Sequence, residues 1–370
     1  MKPMKIKFPG FKILDRYILW KFLSTYFFAI AMIIVIVVLF DYVEKIDDFT
    51  ETKAQVKEVI FDYYVNFIPF FINQFSGLFT FIACIFFTSK MAYQTEIVAV
   101  LSGGMSFRRL MWPYFLGALA IASLSLTLNL WVIPESQKRQ VAFELQHIKR
   151  RQRVQFDRHI YRQIEPGTFA YIRGYNESSS KASFFALEHY YSGTMTHSLE
   201  AADVTFDPET KRWTAPRYTT RTFDSLGVET FDQFRNLDTL INLEVTELGR
   251  IGELIQTMRI GELNTFLEQQ RTKGSDAINI IEVEKHARFA YPLSTFILTL
   301  IGVSLSSRKV RGGTGLHIGI GTGLCFSYIL FNRFFEEFAK SGTLPPGLAV
   351  WLPNLIYAGI AVYLYRKAPK

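Results

Sequence analysis

From Phe22 to Phe40 the chain carries no charged residue. That run outlasts the apolar core of a signal peptide, and Asp41-Tyr42 follows it without a small-residue cleavage site, so it predicts a retained membrane helix from about Ile18 to Phe40. Backbone inside lipid must satisfy its own hydrogen bonds, which restricts the rest of a membrane chain to helices or closed barrels at that depth. Further apolar runs fit helices: about Ile60 to Thr88, Leu110 to Ile133, Phe289 to Ser306, one from near Gly313, and Leu348 to Tyr365. Composition agrees, since 49% of residues are hydrophobic although 20% are charged, so the apolar residues must stand in blocks. The net charge of +8 could suit nucleic acid, but the basic residues form short clusters beside apolar runs, where orientation in a membrane explains them.

The charges alternate along the chain. Residues 1–17 carry Lys2, Lys5, Lys7, Lys12 and Arg16 against Asp15, with Phe8, Phe11, Ile13, Leu14 and Tyr17 among them, which predicts a cytoplasmic segment lying along the membrane surface. Residues 41–59 reverse this, with six acids against three lysines, and are expected outside as a loop. Lys90, Arg108 and Arg109, then Arg308, Lys309 and Arg311, and finally Arg366-Lys367 mark the inner side; Glu336, Glu337 and Lys340 mark the outer. Span two contains Asn66, Pro69, Asn73, Gln74 and Gly77, so it is expected to be long, tilted or kinked, with a polar face toward protein or a cavity. Pro134 is expected to close span three.

From Glu135 to about Glu284 hydropathy falls and the period becomes two. Thr168 to Arg173, Ser183 to Tyr190, Ser198 to Phe206, Arg217 to Phe223 and Leu237 to Val245 read as strands, and Phe206 to Trp213 as a hairpin with Pro208 in its turn. An amphipathic helix, about Ile260 to Lys273, follows. The predicted fold is a membrane α-helical protein with six transmembrane helices, three plus three, and an inserted extracytoplasmic all-β domain, a sandwich or jelly-roll-like unit. The segments are 1–133 for the N-terminal stretch and spans one to three, 134–285 for the β-domain with its C-terminal helix, and 286–370 for spans four to six.

Between spans two and three lies a short polar interruption, Ser89 to Arg109. Glu96 opens a helical pattern carried by Ile97, Val98, Val100 and Leu101, and Gly103 and Gly104 stop it. On the cytoplasmic side such a helix offers a soluble partner a place to push, with Glu96 exposed near its first turn; the plainer alternative is an interfacial turn. Elsewhere the sequence is chemically quiet. It has no GxxxxGK[ST], GxSxG, HExxH or CxxC, and Cys84 and Cys325 stand far apart inside apolar runs as small buried side chains. Glu282 and His286 share a helical face, but two ligands make a weak metal site and a solvated face explains them better. Arg288 reads with its neighbours as a solvated stem; full burial would instead make it a functional residue. Gly315, Gly319 and Gly323 recur at a spacing that gives a smooth groove for helix packing. Without a catalytic motif any energy must come from a partner or a gradient, and no acid stands clearly in mid-membrane to relay protons, which argues against a secondary transporter. A signalling or scaffold protein with an external β ligand-binding domain, and a membrane enzyme using His159, His189 or His197, are the alternatives from other classes.

The Leu14-Asp15-Arg16-Tyr17-Ile18 lead-in to span one, the segment Glu96 to Gly104, the approach Glu284-x-His286-x-Arg288-x-Ala290-x-Pro292-Leu293 and the Arg311-Gly312-Gly313 start of span five together resemble the LptF/LptG lipopolysaccharide export permeases over nearly the whole chain, with the LptG branch favoured by LDRYI and FDPETKRW. The resemblance implies a multi-pass permease subunit in the inner membrane of a Gram-negative bacterium, without enzymatic activity of its own. It would pair with a second, LptF-like permease, recruit an LptB-like ATPase dimer that holds ATP and Mg, and bind no cofactor itself. A membrane-anchored LptC-like protein and a periplasmic LptA-like bridge would receive lipopolysaccharide through the jelly-roll domain. On that basis Glu96, Ile97, Val100, Leu101, Gly103 and Gly104 form the coupling helix, and Lys45, Arg288 and Arg333 are candidate contacts for lipid phosphates. Relatives often place lysines at the outer end of span one, where this chain has Asp41, Asp47 and Asp48 with Lys45 nearest. Arg333 or the partner permease could then read the phosphates, divalent cations could bridge them, or the lipid could carry fewer. Phe169, Tyr171, Phe184, Leu187 and Tyr190 are expected inside the β-domain, as core filling ahead of lipid contact.

Overall fold

The computed structural model describes residues 12–148, 155–156, 160–176, 180–207, 210–223, 228–240, 251–272, 274–275, 277–307 and 313–368. The surface segment expected over the first residues, Pro208 of the hairpin turn, His159 and the inner cluster Arg308, Lys309 and Arg311 lie outside the described residues. The chain divides into two compact units, one of residues 1–47, 55–140 and 282–370, the other of 48–54 and 141–281.

The first unit is helical. Helix α1 runs Ile13–Glu51, well past the apolar stretch, so the acidic residues expected in a loop are mostly helical. No Gly or Pro interrupts it, and Lys45 closes an i,i+4 ion pair with Asp41 at 2.5 Å. Helix α2, Val56–Tyr93, contains a π turn at Val59–Tyr64 ahead of Pro69. There the Asn66 side-chain amide donates to the carbonyls of Phe61 and Asp62 at 2.9 and 3.0 Å, feeding backbone acceptors that a distorted helix leaves short of donors. After the short α3, Glu96–Ser102, helix α4 runs Phe107–His147. Pro134 does not close it. A π turn at Leu128–Val132 immediately precedes the proline and relieves the clash and the lost N–H that a regular helix would suffer there.

Two large apolar clusters help to hold this unit together. One joins Ile18, Phe22, Tyr26 and Ile30 of α1 with Cys84, Phe87 and Met91 of α2, Ile97 of α3 and Phe107, Leu110 and Tyr114 of α4. The other joins Phe81 and Ile85 of α2 with Leu298 and Ile301 and with Cys325, Tyr328, Tyr357 and Ala361 of the three C-terminal helices. Among the described residues, five helices are long and apolar enough to cross a membrane: α1, α2, α4, Ile278–Ser306 and Pro346–Lys367. Gly313–Lys340 is also a long helix, and its sequence carries no Asp, Glu, Lys or Arg from Gly313 to Asn332.

The second unit carries eight described strands in one antiparallel sheet: β1 Gln155–Phe156, β2 Ile160–Glu165, β3 Thr168–Ile172, β4 Tyr175–Asn176, β5 Lys181–Tyr191, β6 Thr194–Asp207, β7 Arg212–Phe223 and β8 Glu229–Leu240. The order is β1-β4-β5-β6-β7-β8, and β3 joins β2 to β5. Ser192 and Gly193, both at positive φ, make the two-residue turn between β5 and β6, a conformation whose twist matches the strands it connects. Trp213 is fully buried between Phe185, Phe206 and Tyr175, and small Ala170, Ala182, Ala201 and Ala215 give it room. Leu187 packs on this cluster, but Phe169, Tyr171, Phe184 and Tyr190 do not fill it. Strand alternation puts them on the opposite face, half-buried, where they pack on one another and on Tyr161. Strand β8 begins earlier than the sequence suggested, since only Leu237 turns into the core and the apolar period is nearly absent; residues 241–245 of the expected strand lie outside the described residues. Three helices follow, α5 Ile251–Thr257, α6 Ile260–Thr272 and α7 Ile278–Ser306; α8 Gly313–Lys340 and α9 Pro346–Lys367 complete the chain.

Candidate functional site

Helix α3 occupies the turn between α2 and α4. Thr95 precedes it at φ +63°, and Gly104 follows at φ +86° with open space where a side chain would stand. A left-handed residue at each end lets so short a helix reverse the chain. Ile97 is buried against the first apolar cluster, and Val100 and Leu101 pack on its edge. The other face is presented outward: Val98 is 51% exposed, with Ala99, Ser102 and Gly103 beside it and Tyr93, Lys90 and Arg108 flanking. Glu96 is half-buried rather than exposed, and the Tyr17 hydroxyl donates to its Oε2 at 3.3 Å. Sequence reasoning missed a stronger contact. Arg109 Nη1 and Nη2 each lie 2.6 Å from an oxygen of Asp15, and the Lys12 backbone N–H donates to the same carboxylate at 2.7 Å. Neither residue's local pattern distinguishes it from an ordinary membrane-flanking charge, so only the folded chain shows the pairing.

The three cations proposed for phosphates stand in different surroundings. Lys45 is engaged by Asp41 and the Tyr63 hydroxyl and lies over the rings of Tyr63 and Phe67 at 4.9 and 5.8 Å. Arg288 is 3% exposed, not part of a solvated stem, and its Nε donates to Glu284 at 3.0 Å. Arg333 has the most open side chain of the three. Its Nη1 lies 3.3 Å from Glu336, which also accepts from the Tyr291 hydroxyl.

Arg333 also lines a cavity of about 250 Å³ between α2, α4, α7 and α8. Asn73, Gln74, Ser76, Ser294 and Asn332 give it polar walls, while Phe75, Leu78, Leu298 and Ile329 give it apolar ones. Of the polar side chains of span two, Asn66 and Asn73 are placed against protein, while Gln74 borders the cavity but stays exposed. Asn73 donates to Asn129 at 2.9 Å and accepts from Ser125 at 2.6 Å, which ties α2 to α4. A cavity with both characters at helix mid-length suits an amphiphile better than a soluble metabolite.

Among the described residues Gly315, Gly319 and Gly323 have nothing within 4 Å of the position a Cβ would take, so the expected groove packs against none of them. The close helix contact is made instead by Gly321, where a Cβ would meet Ile85 at 2.1 Å. Glycine spacing alone could not separate these two faces.

A comparison with curated proteins found no match. Helices suited to crossing a membrane, an antiparallel sheet domain inserted between them and a family model for the lipopolysaccharide export system permease LptF/LptG that matches residues 16–367 agree with one another, and the chain belongs to that family of multi-pass membrane permeases.

Proposed function

We propose that this chain is a permease subunit, LptG-like, of an ATP-driven exporter that takes lipopolysaccharide from the bacterial inner membrane to a periplasmic bridge. The observation that carries the reading is α3, a short helix between two spans whose one side is anchored by Ile97 while Val98, Ala99 and Ser102 stand free for a partner. An LptB-like ATPase dimer docks there, supplies ATP and Mg, and drives six spans with both termini in the cytoplasm. The sheet domain is a periplasmic jelly-roll-like module that hands lipopolysaccharide toward LptC-like and LptA-like proteins. A second, LptF-like permease pairs with the open glycine face of α8. All three candidate cations have a carboxylate partner, and Arg333 is best placed for a lipid phosphate because its side chain is the most exposed and it lines the cavity.

Glu96 tests the docking. Loss of one charge-assisted contact at Glu96→Ala should weaken ATPase binding by about 1.5–3 kcal/mol, roughly one to two decades in affinity. Glu96→Lys should weaken it further by setting a cation against the partner's own. Membrane level should stay at that of the parent, while co-purification of the ATPase and lipopolysaccharide extraction fall together. A Glu96→Lys chain that retains the ATPase and transports normally would falsify the assignment.

A further inference from the structure

Docking at α3 explains where force enters but not how it reaches span one, which follows no part of the loop in sequence. Asp15 sits in the first turn of α1 and Arg109 in the first turn of α4, just beyond α3. Their contact is two-pronged, with both guanidinium nitrogens 2.6 Å from separate carboxylate oxygens. Asp15 is only 1% exposed and the Arg109 side chain 17%. Parallel paired hydrogen bonds fix orientation as well as distance, so α1 cannot rotate or slide against the base of α4 without breaking a shielded ion pair. The Ser106 side chain accepts from the Arg109 backbone N–H at 3.3 Å and the Lys12 N–H holds Asp15, so the backbone at both ends is set. Ile97, Ile18 and Phe107 share one apolar cluster around the pair, and Tyr17 reaches Glu96 across the same junction.

We propose that Asp15 and Arg109 are positioning residues for transport, a clasp that carries displacement of α3 into α1 so that ATP-driven movement at the cytoplasmic face opens or closes the first span. The inference rests on α3 being the ATPase docking element. The pair touches neither nucleotide nor cargo; it acts by keeping α1 and the α3–α4 turn one mechanical body.

The test uses the complete exporter, reconstituted in proteoliposomes with lipopolysaccharide. Asp15→Asn and Arg109→Gln should retain the ATPase and hydrolyse ATP near the parent rate, yet extract about tenfold less lipopolysaccharide per ATP. The exchange Asp15→Arg with Arg109→Asp should recover much of that ratio. Spin labels at Trp20 and Tyr93, which are 73% and 63% exposed, should hold one narrow distance with and without ATP in the parent and a broadened one in Asp15→Asn. Parent-like extraction per ATP in both single variants would overturn the clasp. So would variants that lose hydrolysis and extraction in equal measure without recovery in the exchange, because the pair would then only hold the fold. Failure of the docking reading looks different: the parent chain itself would retain no ATPase, whatever stands at Asp15 and Arg109.

Discussion

Arg288 changes meaning between sequence and structure. Its neighbours Glu282, Glu284, Lys285 and His286 give the local composition of a hydrated stem, yet its own side chain is 3% exposed and bonded to Glu284 one turn away. Removing one member of such a pair strands the other in a poor dielectric. Arg288→Ala should therefore destabilise the chain, toward the lower end of the ~3–5 kcal/mol seen for buried pairs because the Glu284 side chain keeps 29% exposure. The double change with Glu284→Ala should cost less than Arg288→Ala alone, measurable as recovery of thermal stability in detergent. A stable Arg288→Ala chain that loses only lipopolysaccharide binding would mean that this arginine faces cargo. Composition could not place Arg288, since contacts with residues far away in sequence are not written in the local run: Asn129 of α4 donates to the Arg288 backbone carbonyl at 3.4 Å.

Elements were legible where their period was strong. The apolar runs matched long helices, and the alternation gave β3 and β5 nearly to their ends but only the later parts of β6 and β7. Element ends were less visible, because they are set by compensations rather than by hydropathy. An i,i+4 ion pair prolongs α1 beyond Phe40, and a π turn carries α4 through Pro134. Strand β8, exposed on both faces over most of its length, has no pattern to read. The glycines of α8 make the point testable. Gly321→Leu would overfill the contact with Ile85, a cost of about 1–3 kcal/mol, and should lower the melting temperature of this subunit by itself. Gly319→Leu meets nothing among the described residues and should leave that temperature unchanged while weakening co-purification with the second permease. Equal effects of the two on the isolated subunit would refute an outward-facing seam.

For the molecule as a whole, family and general architecture were readable because charge clusters, spans and strand pattern are each written locally. The contacts that make a candidate site, Asp15 with Arg109 or Tyr291 with Glu336, join residues far apart in sequence and were not. Orientation in the membrane rests on the basic clusters and can be checked directly. Reporter fusions after Thr50, after Ser178 and after Gly342 should report the periplasm, and fusions after Gly104 and Lys370 the cytoplasm. A cytoplasmic signal after Ser178 would invert the assignment of the sheet domain and remove any route to a periplasmic bridge.

The strand order bears on how such a chain is made. From β5 to β8 each strand pairs with the next in sequence, and only a few residues separate consecutive strands. Contacts between sequence neighbours close small loops and form early, whereas distant pairings must wait for the chain between them. Synthesis therefore delivers each strand beside the one it needs. The sheet can zip from Lys181 onward while α7, α8 and α9 are still to be translated.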